Sequence, residues 1–398
     1  MSLRDSDSDG EWAPIRRRFP VMQCQTYLNC AALGPMPDFL LATYQQAVLD
    51  RQHLVPSDAA ERARAALAAY LAVDPASLSF WTNTTEAINV VAGSIDWHPG
   101  DEVIVNPIDF PSNLLPWVRL SDRGVAVKFA NPEAGRLPLT AVAAAVTPRT
   151  RLVALSHVFY QTGYRVDLDA LGAYLHERSI WLSVDGIQAL GLMRPSLQHV
   201  DFYMGASFKH LLGPRGLGLL YVRPEVADRL IPAMVGYASV DMDGADEVAG
   251  LATVVRRGDP LRYRAQAGRF QLAHVNTEGL SALADLLTFF DTVGWEAIMD
   301  RVQQLSGLAL DALAEVPGVS VVTPRDDAER LSLAVFRVEG WEADAVVAEL
   351  SQRGIVCAAR EGAVRAAFHI YNDASDVERL VAAVCALPGA VTTAEPRP

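Results

Sequence analysis

From Leu78 to Val222 the chain repeats one pattern. A short, almost wholly apolar run is followed by a stretch whose apolar residues recur every three or four positions. The runs read LSFWT, DEVIVNP, VAVKFAN, TRLVALSHV, WLSVDG, DFYMGAS and GLGLLYVR. Runs this short and this apolar are strands buried on both faces. TTEAINVVAGSI, LTAVAAAV and DLDALGAYLHERS, which separate several of them, have helical spacing. Strands joined through helices line up parallel, with the helices covering both sides of the sheet. The pattern predicts an α/β fold: a large domain with a mostly parallel sheet flanked by helices.

The flanks differ. DFLLATYQQAVLDRQHL and DAAERARAALAAYLAV read as helices ahead of the sheet, and NTEGLSALADLLTFFDTVGWEAIMDRVQQL as one long helical stretch behind it. Between these, residues 240–268 are irregular and charged, which reads as a loop or crossover. VSVVTP, LSLAVFRVE, EADAVVAELSQRG, AVRAAFHIYN and DVERLVAAVCAL then form a smaller C-terminal α+β domain. The boundaries expected are 1–34 for an N-terminal arm, 35–265 for the large domain and 266–398 for the small one. The polar opening MSLRDSDSDGEW lacks the apolar core of a secretory signal and reads as a mobile tail. The basic run Arg16–Arg18 reads as a solvated charge cluster.

Composition removes several functions. With 51% hydrophobic and 20% charged residues, the chain can bury a large core and is not disordered. Its net charge of -13 and the lack of a basic face argue against nucleic acid and anionic membrane surfaces as partners. No apolar run reaches the ~18 residues of a membrane span. The four cysteines, Cys24, Cys30, Cys357 and Cys385, have no CxxC spacing, so neither a metal site nor a disulfide framework is expected. A reducing cytoplasm is the expected compartment.

In open α/β sheets ligands collect at the carboxyl ends of the strands, so the polar residues there carry the chemistry. Asp185 ends WLSVDG with Gln188 three residues on, and Lys209 follows DFYMGAS in SFKHLLGPRGLG. Asp185 would serve as a helix N-cap or pair with Lys209; alternatively the two would hold a pyridine ring between them. TNTTEAIN puts the hydroxyls of Thr84 and Thr85 at a helix start, either as caps or as a phosphate seat. Phe110, in DFPSNLLPW, is a core ring or a stacking surface. His157 and Tyr160 follow the strand TRLVALSHV, where a lone histidine is usually structural. Arg365, in VRAAFHIYND, would pair with a substrate carboxylate or a surface acid. No GxGxxG opens a helix after the first strand, which leaves a nicotinamide dehydrogenase without its motif.

The order of these features along the chain resembles the class V aminotransferase family of fold-type-I pyridoxal-phosphate enzymes. That family includes cysteine desulfurases, selenocysteine lyases, isopenicillin N epimerase and kynureninase. The likeness runs from LNCAALGPMP to the C-terminal helix, and VDGIQALG followed by DFYMGASFKHLLGPRGLGLLYV is its most specific part. The resemblance implies pyridoxal 5'-phosphate as cofactor, with Lys209 as the Schiff-base lysine. Asp185 would partner the ring nitrogen and Gln188 the phenolic oxygen. Thr84, Thr85 and Ser207 would hold the phosphate, and Phe110 would lie against the ring. Arg365 would take the carboxylate of an amino acid substrate, with Tyr160 beside it. A homodimer is implied too, with His274 at the subunit junction in place of a threonine that reaches the neighbouring phosphate.

Departures from the family narrow the reaction. Desulfurases place a histidine where this chain has Phe110, and many place another where it has Phe208. Kynureninases share the phenylalanine and the SHVFYQTGY pattern but lack DGIQALG. The desulfurase persulfide cysteine has no counterpart: Cys357 follows GIV directly, four or five residues early, and reads as an inert strand residue. The expectation is a desulfurase-like or kynureninase-like lyase without a persulfide cysteine. An aminotransferase or epimerase is the alternative, and a non-catalytic scaffold is the alternative of another class.

Overall fold

The structure, a computed structural model, describes residues 7–241, 258 and 260–387. The chain enters through a helix, Asp7–Arg16, and a two-residue strand, β1 (Thr26–Tyr27). Helices Phe39–Gln52 and Ala59–Leu71 lead to the main sheet. Its strands are β2 (Leu78–Trp81), β3 (Glu102–Val105), β4 (Ala126–Phe129), β5 (Thr150–Ser156), β6 (Trp181–Asp185), β7 (Phe202–Ala206) and β8 (Gly218–Val222). They lie in the order β2-β8-β7-β6-β5-β3-β4. Only β8 runs against its neighbours; the pairs β7–β6, β6–β5, β5–β3 and β3–β4 are parallel. All seven apolar runs are therefore strands. β6 and β7 are buried along their whole length, as a sheet covered on both faces requires, whereas the edge strand β4 is half open to solvent.

The C-terminal unit is a four-stranded antiparallel sheet. It is built from β9 (Val319–Val321) and β10 (Leu333–Val338), then, after the short β11 (Ile355–Val356), from β12 (Ala358–Arg360) and β13 (Ala363–Ala367). β1 pairs with β11, so the N-terminal arm is stitched to this unit. Helices Trp295–Ala314, Ala343–Gln352 and Ala374–Cys385 share its core.

Packing departs from the sequence reading in three places. The long helical stretch breaks at Gly294, whose φ of 94° favours glycine. Its first half, Thr277–Val293, places Leu280, Leu283, Leu287 and Phe290 in one core with Ala63 and Leu67, and Phe289 against Phe39 at 5.2 Å. This helix packs with the N-terminal helices, whereas the expected boundary at 265/266 sets it in the small domain. Arg16 is also not solvated: it donates at 2.6 Å to the buried carboxylate of Asp376 and at 2.6 Å to Tyr371 O, clamping the arm to the last helix. The expected tail lies partly, and the expected crossover at 240–268 mostly, outside the described residues. No described helix is long and apolar enough to cross a membrane.

Candidate active site

The carboxyl ends of β2, β3, β5, β6 and β7 open into a cavity of about 280 Å³, closed on the far side by the β12–β13 hairpin. Thr84, Thr85, Phe110, Tyr160, Asp185, Gln188, Lys209 and Arg365 all reach its wall. Eight of the nine residues expected to hold cofactor or substrate are thus brought together.

At the end of β2, Asn83 caps the helix Thr84–Ser94 by accepting from Glu86 N–H at 2.9 Å. The first N–H groups of that helix have no intrahelical partner. Thr84 Oγ1 is buried there without any hydrogen bond, and Thr85 Oγ1 donates to Ser112 at 2.9 Å. A buried hydroxyl without a partner beside free amides is a seat for an anion.

Past β3, Asp109 pins the loop that carries Phe110. Its carboxylate accepts from Phe110 N–H (2.7 Å), Asn113 (3.0 Å), and the N–H (2.7 Å) and hydroxyl (2.5 Å) of Ser156. Phe110 is left 42% exposed, an unusual position for so large a ring. Tyr160 meets it edge-on at 5.3 Å, and the Lys209 amine stands 5.5 Å from its centre.

Asp185 ends β6, 2% exposed, and accepts from Ile187 N–H at 2.9 Å. Burial, with Asp109 adding to it, pushes its carboxyl well above the usual range; Ile187 N–H and the Lys209 charge pull the other way. The chain leaves Asp185 through Gly186, where a Cβ would stand 2.1 Å from the Tyr203 ring. Lys209, after β7, is fixed by its backbone. Gly34 of the arm donates to Phe208 O at 2.8 Å, and a Cβ on Gly34 would meet Lys209 O at 2.1 Å. Burial holds the Lys209 amine below its ordinary pKa; Asp185 opposes this, while Arg365 and Arg360 add to it. The amine is thereby moved toward its nucleophilic, neutral form.

Gln188 is oriented by a neighbour that sequence reasoning passed over. Its Nε2 donates to Ala31 O at 3.1 Å, so its Oε1 accepts from His210 Nε2 at 3.0 Å. His210 Nδ1 then faces Cys30 Sγ at 3.2 Å. Burial keeps this imidazole neutral and pushes the Cys30 thiol up to about 12. The only signal for His210 was its position beside the lysine. Arg360, also missed, lines the cavity with Arg365. Arg365 is 2% exposed, donates to Tyr160 O at 3.1 Å, and has a buried Nε without a partner.

Some residues go elsewhere. Ser207 is not on the wall; its hydroxyl donates to the carbonyl of Pro214. His157 lies beneath the cavity with Nδ1 at 3.2 Å from Tyr203 OH, its pKa lowered by burial to about 3. His274 is exposed, outside the cavity. Cys357 is 6% exposed between β11 and β12, with a thiol that burial pushes up to about 12. No three His, Cys, Asp or Glu side chains gather as metal ligands among the described residues.

The wall fits the cofactor that the resemblance implies. It offers an unpaired buried hydroxyl at a helix start, an open aromatic face, and a buried carboxyl facing the same space as a lysine of lowered basicity.

Comparison with known proteins agrees. Residues 38–380 match the family model described as aminotransferase class-V. The cysteine desulfurase CsdA of Escherichia coli K12 is 30% identical, the match covering 94% of this chain and 96% of that protein. Among solved structures, the apo cysteine desulfurase of Thermococcus onnurineus NA1 superposes with a TM-score of 0.83 at 22% identity, covering 94% of this chain and 96% of that one. A C-DES variant with glycine covalently linked to its PLP cofactor gives 0.83 at 23% identity, covering 93% and 99%.

Proposed function

This chain belongs to the aminotransferase class-V family, and from that premise we propose that it is a pyridoxal-phosphate-dependent lyase acting on an α-amino acid without a persulfide cysteine. The observation that carries the reading is the pairing of Asp185 and Lys209 on one cavity wall, each shifted by burial toward its neutral form.

Pyridoxal phosphate, when bound, supplies an aldehyde and a ring that withdraws electrons from the substrate's α-carbon. Lys209 would hold it, and Asp185 would keep a proton at the ring nitrogen. Gln188, steadied by His210, would donate its remaining N–H to the ring's oxygen. Thr84, Thr85 and the helix amides would take the phosphate, and Phe110 would cover one ring face. Arg365 would bind the α-carboxylate through its planar fork. Once its amine is free, Lys209 Nζ would accept the proton from Cα and return it, a transfer that its lowered basicity favours near neutral pH.

Two features support a reaction without persulfide. The Cys357 thiol is buried, protonated and off the cavity wall. Where the resemblance would put the nucleophile, β12 and β13 are joined by the two-residue turn Glu361–Gly362. A homodimer in the cytoplasm completes the proposal. Exposed Leu41, Val48, Leu49 and Leu54 on and after one helix, with Ile231 and Met234, are apolar surface of the kind a second copy covers.

The test is to add pyridoxal phosphate to purified protein, look for a visible absorption band that borohydride fixes onto Lys209, and then assay products. Alanine, or pyruvate with ammonia, released without an acceptor supports the lyase. A keto acid formed only with an amino acceptor makes it an aminotransferase, and no band at all leaves the scaffold.

A further inference from the structure

The hairpin that closes the cavity carries two arginines. Its register sets Ala358 opposite Arg365 and Arg360 opposite Ala363. Residues two apart share a face, so Arg360 and Arg365 are diagonal neighbours on one face, a placement that separates them by roughly 7–8 Å. Both reach the cavity. The other charged groups on the wall are Lys209 and Asp185, so three cations face one carboxylate. This concentration of positive charge stands out in a chain of net charge -13.

Among the described residues, no carboxylate pairs with Arg360. Its hydrogen bond is from Nη1 to the adjoining Ala359 O at 2.6 Å, and no described acid lies within ion-pair distance. Glu361, the next residue, is instead bonded by Tyr160 OH at 3.3 Å. The Arg360 charge lowers the basicity of both Lys209 and Arg365, a repulsion against which the cavity wall sets the single carboxylate of Asp185. Arg365 alone is enough for one α-carboxylate, and the threonine-lined helix start is the seat for a phosphate. Arg360 is left over on the same cavity wall.

We propose that Arg360 is a second anion seat, so that the substrate is an α-amino acid whose side chain ends in its own carboxylate. This rests on the reading that Arg365 takes the α-carboxylate. A guanidinium fork binds a planar carboxylate through two parallel hydrogen bonds.

Two measurements decide it. In the first, calorimetry compares succinate with butyrate on the purified protein, an arm that needs no cofactor chemistry. Succinate should bind at least about tenfold more tightly, the gap shrinking with salt, and Arg360→Gln should remove it while Arg360→Lys keeps part of it. In the second, the cofactor-loaded enzyme is titrated with L-aspartate and L-alanine and followed by its visible band. Preference for L-aspartate over L-alanine supports the proposal. The proposal is overturned if Arg360→Gln weakens aspartate and alanine equally, if succinate shows no advantage, or if the variant loses cofactor affinity instead. A protein that never develops a band fails the cofactor reading, while the calorimetric arm still judges Arg360.

Discussion

The two walls of the cavity are built differently. On the sheet side each functional group is held by packing and several bonds. Four hydrogen bonds converge on Asp109 behind Phe110, two fix Gln188, and Gly34 presses on the Lys209 backbone. The hairpin side is a two-residue turn with Glu361 in a left-handed conformation (φ 47°) and Arg360 half-buried on one backbone bond. The contrast separates two tasks. On the proposed function, groups that would meet a cofactor in one geometry sit on the rigid wall, because small displacements there cost large factors in rate. Groups that would select among amino acids sit on a wall that can vary without disturbing the sheet.

The sharpest way to break this division is Lys209→Ala. If the rigid wall carries the chemistry, turnover falls by about 10³-fold or more, and borohydride no longer fixes cofactor to the protein. Mass spectrometry of the reduced protein reads the second outcome; label still attached to the variant would move the reaction to another amine. Next in size is Arg365→Ala on the opposite wall. It should raise KM for amino acids by about a hundredfold, the worth of a charge-assisted bidentate pair, while leaving the cofactor band in place. Loss of the band with an unchanged KM would mean that both walls serve the cofactor and the division is false.

The same contrast explains what could be read from sequence. Asp185, Lys209, Thr84 and Phe110 were legible because a parallel strand fixes where its carboxyl end lies, and a short apolar run marks each strand. Ser207 was not, because the carbonyl of Pro214 decides where its hydroxyl points, and no spacing records that. Periodicity likewise identified Thr277–Val293 as a helix without naming the N-terminal helices as its partner. β11 and β12, at two and three residues, are too short for any pattern, and Arg360 went unnoticed inside them. The Arg16–Asp376 clamp joins residues 360 apart, beyond any local rule.

A smaller effect probes the rigid wall through pH. His157 has its folded pKa lowered to about 3, below the ordinary 6.5, so the unfolded chain takes up that proton first. Its contribution to stability is intact above pH 6.5 and is lost as pH falls toward 3. The raised carboxyls of Asp185 and Asp201 act in the opposite sense, so the signature is a difference between variant and parent. His157→Gln should be less stable than the parent at pH 7. As pH drops below 6.5 that gap should narrow by about 1.4 kcal/mol per unit. Urea midpoints at pH 7 and 5 measure it; a gap independent of pH would place a charged imidazole under the sheet.

The smallest expected effect concerns the hairpin itself. Glu361 holds φ at 47° and Gly362 at 70°, the pair of positive angles that a tight two-residue turn demands. A side chain in that region costs about 1–2 kcal/mol, and glycine avoids most of it. Glycine also loses more freedom on folding, by roughly 0.5–1 kcal/mol. The Tyr160–Glu361 bond at 3.3 Å is exposed and contributes little. Glu361→Gly should therefore change stability by no more than about 1 kcal/mol, in the stabilising direction. It should leave the cofactor band untouched yet shift KM, because the turn sets the angle at which Arg360 faces the cavity. Thermal unfolding and a substrate titration on the same preparation read both. Should the variant instead lose the band, the hairpin is part of the rigid machinery, and the two walls are one.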